Sequence, residues 1–411
     1  MKIRDAFGFG DIKPQDSIGD FVGELARREL APDIRTIASA PTDTEVSIDG
    51  RTVVMFGSNN YLGLATRLEV REAVAAAAMK YGNSSGGSRW VSGTTDIQLE
   101  LEEKLAAFKG SEDAITFAAG YMANLGAMAP LAGRMMIENV LLYRDFATIF
   151  SDELNHASII DGCRLVSAEK VIYRHADADD LRAKLKKAAK KGRKLIITDG
   201  VFSMDGDIAP LDAICEVAGE FGAQVYVDDA HGTGVLGANG RGTPEHFGVE
   251  DQVTVSMGTF TKAFGGFGGY ITGSKDLTQY LRYTARSYIF TAPIPPAVCA
   301  GLIQSLELAK DNGLREQLRE NTNHFVEGLG ALGYRHLGGQ TAITPVLIGD
   351  EQEAKDLCDR LFLAGYFTPF VRFPAVAKGE ARLRITMMAT HTREQIDGLL
   401  GAMDEARPPR D

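Results

Sequence analysis

Two segments of the 411-residue chain put ionisable groups directly after short apolar runs, where a sheet would present them to a buried site. The first is Val227-Asp228-Asp229-Ala230-His231, which follows the run Val225 to Val227 and precedes a glycine-rich turn. A carboxylate at a buried strand end needs a partner. A metal held by Asp228, Asp229 and His231 is one option, but no further His or Glu cluster supplies the remaining ligands. A protonated heterocycle is the other: a carboxylate beside a pyridine-type nitrogen keeps it protonated and makes the ring an electron sink. Asp228 then faces the ring nitrogen, and His231, three residues on, reaches the ring's phenolic oxygen.

The second segment is Met257-Gly258-Thr259-Phe260-Thr261-Lys262, after the run Val253 to Met257. A lysine among small residues and hydroxyls forms an imine with an aldehyde if desolvation lowers its pKa. Thr259 and Thr261 offer hydroxyls to a phosphate. Lys262 alone reads as an ordinary loop lysine; with Asp228 one strand–helix unit upstream, the pair points to pyridoxal 5'-phosphate (PLP). At Ala118-Ala119-Gly120-Tyr121-Met122-Ala123-Asn124 a strand hands over to a helix, and small residues let a phosphate approach the free N–H groups. The string Gly265-Gly266-Phe267-Gly268-Gly269 lacks the strand, turn and helix order of a dinucleotide fingerprint. Of the histidines, only His156 and His231 lie near strand ends in this part of the chain, and an imidazole stacked on a cofactor ring can serve as acid or base.

Positioning these groups requires alternating strands and helices. Helical spacing at 68–81, 97–108, 178–191 and 211–221 is interleaved with the apolar runs Ala114 to Phe117, Leu195 to Thr198, Val225 to Val227 and Val253 to Met257. That pattern predicts an α/β fold: a large domain with a mostly parallel seven-stranded sheet, ligands at the carboxyl ends of the strands. Before it, residues 17–30 have helical spacing, and Asp49-Gly50 marks a hairpin. After Pro295-Pro296, two helical patterns, the strand-like runs Ile343–Ile348 and Arg382–Met388, and a helix at 351–364 predict a smaller α+β unit. The expected divisions are an N-terminal segment 1–60, a large domain 61–296 and a C-terminal domain 297–411.

Composition narrows the function. A formal net charge of -11 argues against a nucleic-acid partner. The lysine run from Lys184 to Lys194 closes an amphipathic helical pattern and reads as a solvated face. The most apolar stretch, Ala114 to Gly133, is interrupted by Asn124, Pro130 and glycines, so no integral membrane span is expected. Charges scattered through MKIRDAFGFGDIK do not fit a signal peptide, which points to the cytoplasm. Cys163, Cys215, Cys299 and Cys358 are too dispersed for a zinc site and read as small buried hydrophobes.

From Ser58-Asn59-Asn60-Tyr61-Leu62-Gly63 to Met388-Ala389-Thr390-His391-Thr392, the ordered series of segments resembles the α-oxoamine synthase family of fold-type I PLP enzymes. The resemblance implies that Lys262 carries the cofactor, Asp228 holds its ring nitrogen, His231 its phenolic oxygen, and His156 in NHASIIDG stacks on the ring. Gly120, Tyr121, Ser203 and Thr259 become phosphate or ring contacts. Thr291 reaches the phosphate from a second subunit, so a homodimer is implied. Arg384 takes the amino-acid carboxylate, with Asn59 beside it, and Gln98 stands where relatives often have histidine.

The implied reaction joins an amino acid to an acyl thioester with loss of carbon dioxide. DTEVSIDGRTVVMFGSNNYLGL, GYMANLG, RSYIFT and MMATHT lean toward the bacterial serine palmitoyltransferase branch, hence L-serine and a long-chain acyl-CoA giving 3-ketosphinganine. GTFTKAFGGFGGY is more like 2-amino-3-ketobutyrate CoA ligase, and VDDAHGTGVLG more like 8-amino-7-oxononanoate synthase. Glycine or L-alanine with a different acyl-CoA or carrier-bound thioester is therefore the alternative. A non-catalytic partner subunit of the same fold is a third reading, opposed by the joint presence of Lys262, Asp228, His231 and His156.

Overall fold

A computed structural model describes residues 17–27, 34–134, 136–137, 140–141, 145–188, 192–373 and 375–407. Residues 1–16, the end of the helical pattern at 17–30 and part of the lysine run lie outside the described residues. Strands β1 (Glu45–Ile48) and β2 (Arg51–Met55) form the expected hairpin. Asp49 and Gly50 both have positive φ, 50° and 79°. That is the two-residue turn whose twist matches the strands it joins.

The large sheet contains β3 (Asp113–Phe117), β4 (Thr148–Asp152), β5 (Lys170–Tyr173), β6 (Lys194–Asp199), β7 (Gln224–Asp228), β8 (Val255–Thr259) and β9 (Gly269–Gly273), in the order β3-β9-β8-β7-β6-β4-β5. All neighbouring pairs are parallel except those of β9, which is antiparallel to both β8 and β3. This is the mostly parallel seven-stranded α/β architecture expected. Its central strands are apolar along most of their length because helices cover both faces.

Two local expectations shift. The run Val253 to Met257 becomes a strand at Val255–Thr259, because a 3₁₀ turn at Glu250–Gln252 delays its start. The helical pattern at 178–191 closes at Lys187. β9 begins at the last residue of the glycine string, and the structure shows why glycine is needed there. A Cβ on Gly269 would lie 2.5 Å from both the Cα and the N of Gly120. The bare backbone lets β9 pass directly against the start of the helix Gly120–Ala132.

Beyond the helices Pro296–Leu308 and Asn312–Leu332, a second sheet of β10 (Ile343–Gly349), β11 (Phe370–Val371) and β12 (Ala381–Thr386) has the order β10-β12-β11 and is antiparallel throughout. One continuous apolar cluster runs from Phe56 and Tyr61 through Leu105, Phe264 and Leu302 to Leu383 and Ile396. The C-terminal sheet thus packs into the same cluster as Ala114 and Tyr270 of the large sheet, while two separate clusters line most of the large sheet's strands. Among the described residues, no helix is long and apolar enough to cross a membrane.

Candidate active site

Parallel register sets the site. Asp199 at the end of β6 is the Cα partner of Asp228 at the end of β7, and Asp228 is the partner of Met257 in β8. The carboxyl ends of three adjacent strands therefore project side by side, and the loop after β8 brings in Lys262. Asp228 is buried; its Oδ2 accepts from Asn124 Nδ2 at 2.7 Å and its Oδ1 from the Ala230 N–H at 3.1 Å. A carboxylate has room for about four acceptor contacts, so capacity remains for another donor.

Asp229 does not join it. Successive residues leave a strand on opposite sides, and Asp229 is taken up by Thr233, Thr243 and Lys109. No metal group forms from Asp228, Asp229 and His231, and no cluster of three or more candidate ligands occurs among the described residues.

Lys262 is enclosed by protein but keeps a partly accessible face, and its amine makes no hydrogen bond or ion pair among the described residues. Burial lowers its pKa to about 8, against the opposing pull of the Asp228 and Asp199 carboxylates. About a tenth of the amine is then neutral at pH 7, far more than an unperturbed lysine offers for attack on an aldehyde. Asp199 itself is pushed well above the usual carboxylate range by burial and by its neighbour Asp228.

His156 caps the helix Ala157–Arg164, and its backbone N–H donates to Asp199 Oδ2 at 2.7 Å. Burial lowers its pKa, as does the charge of Lys262, although Asp228 works in the other direction. His231 is driven well below the usual histidine range by burial, with the positive charges of Lys262 and Arg384 adding to the effect. Its Nδ1 lies 2.7 Å from the Tyr61 hydroxyl, which in turn donates to Asn59 Oδ1 at 3.1 Å.

Asn59 Oδ1 also accepts from both terminal nitrogens of Arg384 at 3.3 Å, while Arg384 Nε donates to the Ser203 carbonyl at 2.6 Å. Arg384 is buried and has no carboxylate partner among the described residues. A buried guanidinium without an anion is costly unless an anionic ligand completes it. Ser203 thus acts on the arginine through its backbone, while its side chain is half-buried.

The phosphate side is built from backbone. Ala119 has extended geometry and Gly120 opens the helix, leaving the first N–H groups without intrahelical acceptors. A Cβ on Gly120 would meet Met257 Cε at 3.2 Å and Thr259 Cβ at 3.3 Å, so a side chain there would crowd the cradle. Tyr121 turns its hydroxyl outward to Asp161. Thr259 commits its proton to the Gly268 carbonyl at 2.8 Å, while its oxygen lies 2.9 Å from that of Thr261. Gln98 is a structural residue: it closes a capping box with Thr95 and donates to the Ile294 carbonyl at 2.8 Å. Thr291 is half-buried just past the short helix Arg286–Ile289.

An enclosed amine, a carboxylate with spare acceptor capacity and a phosphate-sized set of free N–H groups together fit PLP. The comparisons with known proteins agree. Residues 51–403 match the family model for aminotransferase class I and II. The 8-amino-7-oxononanoate synthase of Symbiobacterium thermophilum is 45% identical over 357 residues, covering 86% of this chain and 88% of the relative. That of Geobacter metallireducens is 44% identical over 366 residues, 88% of this chain and 90% of the relative. The serine palmitoyltransferase of S. paucimobilis, solved with PLP and myriocin bound, superposes with a TM-score of 0.88 at 34% identity, over 95% of this chain and 98% of that one.

The chain belongs to the α-oxoamine synthase family of PLP-dependent acyltransferases.

Family membership gives meaning to residues that the sequence alone did not single out. Asn124, Tyr61 and Asp199 touch Asp228, His231 and His156 respectively, yet each comes from a distant segment. Asn124 lies in the segment Ala118 to Asn124 and Tyr61 in the segment Ser58 to Gly63, where neither has a sequence neighbour that would give it a role. Asp199 carried one usable signal, its place at the end of an apolar run like the one before Asp228.

Proposed function

We propose that this α-oxoamine synthase condenses L-alanine with a dicarboxylic acyl thioester, the reaction type of the 8-amino-7-oxononanoate synthases. The observation that carries this reading is 44–45% identity to such enzymes over nearly nine-tenths of the chain, against 34% to the serine palmitoyltransferase. The name of that product dictates its parts. Once the amino acid loses its carboxylate, alanine supplies the methyl-bearing amino carbon, and a seven-carbon acyl group ending in a carboxylate supplies the rest.

Arg384 holds the amino-acid carboxylate with its two terminal nitrogens, and Asn59 keeps the guanidinium plane in place. PLP bound at Lys262 supplies an aldehyde and an electron-accepting ring. Lys262 Nζ, whose pKa burial lowers to about 8, takes the proton from the amino-acid Cα. Asp228 holds a proton at the ring nitrogen, His231 sits at the phenolic oxygen, and His156 covers the ring face and shields it from water. The N–H groups at Gly120 and Tyr121, with Thr259 and with Thr291 of the partner subunit in a homodimer, hold the phosphate.

L-Serine with a long-chain acyl-CoA is the second reading. It is favoured by the superposition, since the 8-amino-7-oxononanoate synthase of Francisella tularensis gives a TM-score of 0.71 at 28% identity over 86% of this chain and 97% of that one. Thiol release by the PLP-loaded protein, measured over alanine, glycine, serine and threonine against short, dicarboxylic and long-chain acyl thioesters, separates the two. Turnover confined to alanine with dicarboxylic donors is expected. Turnover confined to serine with palmitoyl-CoA would overturn the substrate reading.

A further inference from the structure

Asp228 and His156 are connected by a chain of hydrogen bonds whose direction is forced. Asn124 is fully buried, and its Nδ2 donates both to Asp228 Oδ2 at 2.7 Å and to Ser158 Oγ at 2.8 Å. Its Oδ1 accepts from the Tyr226 hydroxyl at 2.7 Å. Ser158 Oγ lies 2.7 Å from His156 Nδ1, and the Ser158 backbone N–H points at the same nitrogen from 3.3 Å.

A carboxylate only accepts, so the Asn124 amide must turn its nitrogen toward Asp228. The same nitrogen then faces Ser158 Oγ, which must accept from it and spend its own proton on His156 Nδ1. The backbone N–H, which cannot reverse, agrees that Nδ1 is an acceptor. A neutral imidazole with Nδ1 accepting carries its proton on Nε2.

The geometry points to Asn124 and Ser158 as positioning residues that carry the polarity of Asp228 to His156, where the short Ser158 hydroxyl contact, supported by the longer one from the Ser158 N–H, sets the tautomer. The carboxylate serving the ring nitrogen thereby also fixes a hydrogen-bond donor, His156 Nε2–H, on the histidine above the ring. This rests on the site reading given above but on no particular substrate. Were the Asn124 amide inverted, Ser158 would donate to Asn124 Oδ1 and accept from His156 Nδ1–H, and the donor at Nε2 would be lost.

The test is the ¹⁵N resonances of His156 in the full-length protein, with and without PLP, assigned by their loss in His156→Gln. The wild-type protein should show unprotonated Nδ1 and protonated Nε2, with no detectable averaging. Asp228→Asn offers one side-chain oxygen to two donors, the Ala230 N–H and Asn124. The amide can then invert, and an Nδ1-protonated population should appear.

Tyr226→Phe removes a donor but leaves the polarity set at the Asp228 end, so it should not move these resonances. In Ser158→Ala the chain is cut, and adding Asp228→Asn should then have no further effect on His156. A protonated Nδ1 in the wild-type protein would overturn the inference. So would an unchanged tautomer in Asp228→Asn, or an equal response to that substitution when Ser158 is absent. None of these readings depends on turnover, so failure of the substrate assignment would leave them standing.

Discussion

The cleft around Lys262 and the charged cluster around Lys109 use the same side chains to opposite ends. Lys109 is buried, donates to Thr233 Oγ1 at 3.0 Å and to the Arg241 carbonyl, and pairs with Asp229 at 3.6 Å. Asp229 takes further bonds from Thr233 and Thr243. Lys262 and Asp228, on the other side, keep capacity in reserve. The arginines of β12 repeat the contrast. Arg382 is held by Asp205 at 2.5 Å and Glu380 at 3.1 Å, whereas Arg384, two residues on along the same strand, has no carboxylate partner among the described residues. Saturated groups hold the fold and unsaturated ones wait for ligands; burial alone does not tell them apart.

Exchanging the two lysines' fates gives the largest expected effects. Lys262→Ala should lower thiol release by roughly 10²–10⁴-fold or more, because both the attachment point and the base are lost. Its denaturation midpoint should stay close to that of the parent protein. Lys109→Ala should cost about 3–5 kcal/mol of stability by leaving Asp229 buried without its cation, while turnover per folded molecule is retained. Chemical denaturation alongside thiol release reads both. Substantial turnover by Lys262→Ala would remove the basis of the comparison.

The adjacent aspartates sharpen it. Asp228→Asn should reduce kcat by about 10²-fold or more with modest change in stability, since it weakens the hold on the ring-nitrogen proton. Asp229→Asn should destabilise by about 1–3 kcal/mol by weakening the contacts Asp229 accepts from Lys109, Thr233 and Thr243, and leave kcat near the parent value. On β12, Arg384→Lys should raise the amino-acid KM by about 10-fold, because an ammonium cannot reproduce the two-nitrogen fork. Arg382→Lys should leave that KM within about 2-fold and register in the melting temperature instead.

The smallest effect concerns a saturated histidine. Burial opposes charge on His175, but Asp152 at 3.1 Å and Asp207 at 2.9 Å outweigh it and raise its pKa from 6.5 to about 10. A raised folded-state pKa adds stability that is fully present below pH 6.5 and is lost as pH climbs through about 10. His175→Gln should therefore cost about 1–3 kcal/mol at pH 6 and progressively less up to pH 10. A stability difference independent of pH would remove His175 from the saturated set.

The chemistry was legible in the sequence wherever a reactive group directly follows a strand. Asp228, Lys262 and His156 could be read this way because strand ends are visible as apolar runs. The glycine string is legible as a break in pattern, but β9 is not, since only Tyr270, Ile271 and Thr272 stand between its terminal glycines and so short a run shows no periodicity. Asn124, Tyr61 and Ser158 stayed silent for a different reason. Each gains its role from a contact with a residue that only parallel register and helix placement bring near, and spacing along the chain carries no trace of that. The contrast between Arg382 and Arg384 was hidden likewise, because two arginines in one strand look alike until their neighbours are known.

The apolar cluster that joins Phe56 and Phe264 to Leu383 and Ile396 also bears on how the molecule comes apart and how it opens. Because that cluster joins the C-terminal sheet to part of the large domain, calorimetry should show a single cooperative transition, and a fragment ending near Pro295 would expose the remaining face of the cluster. A wide hinge between the sheets would have to bring the same apolar residues into water, so substrate entry by smaller movements of surface segments is expected.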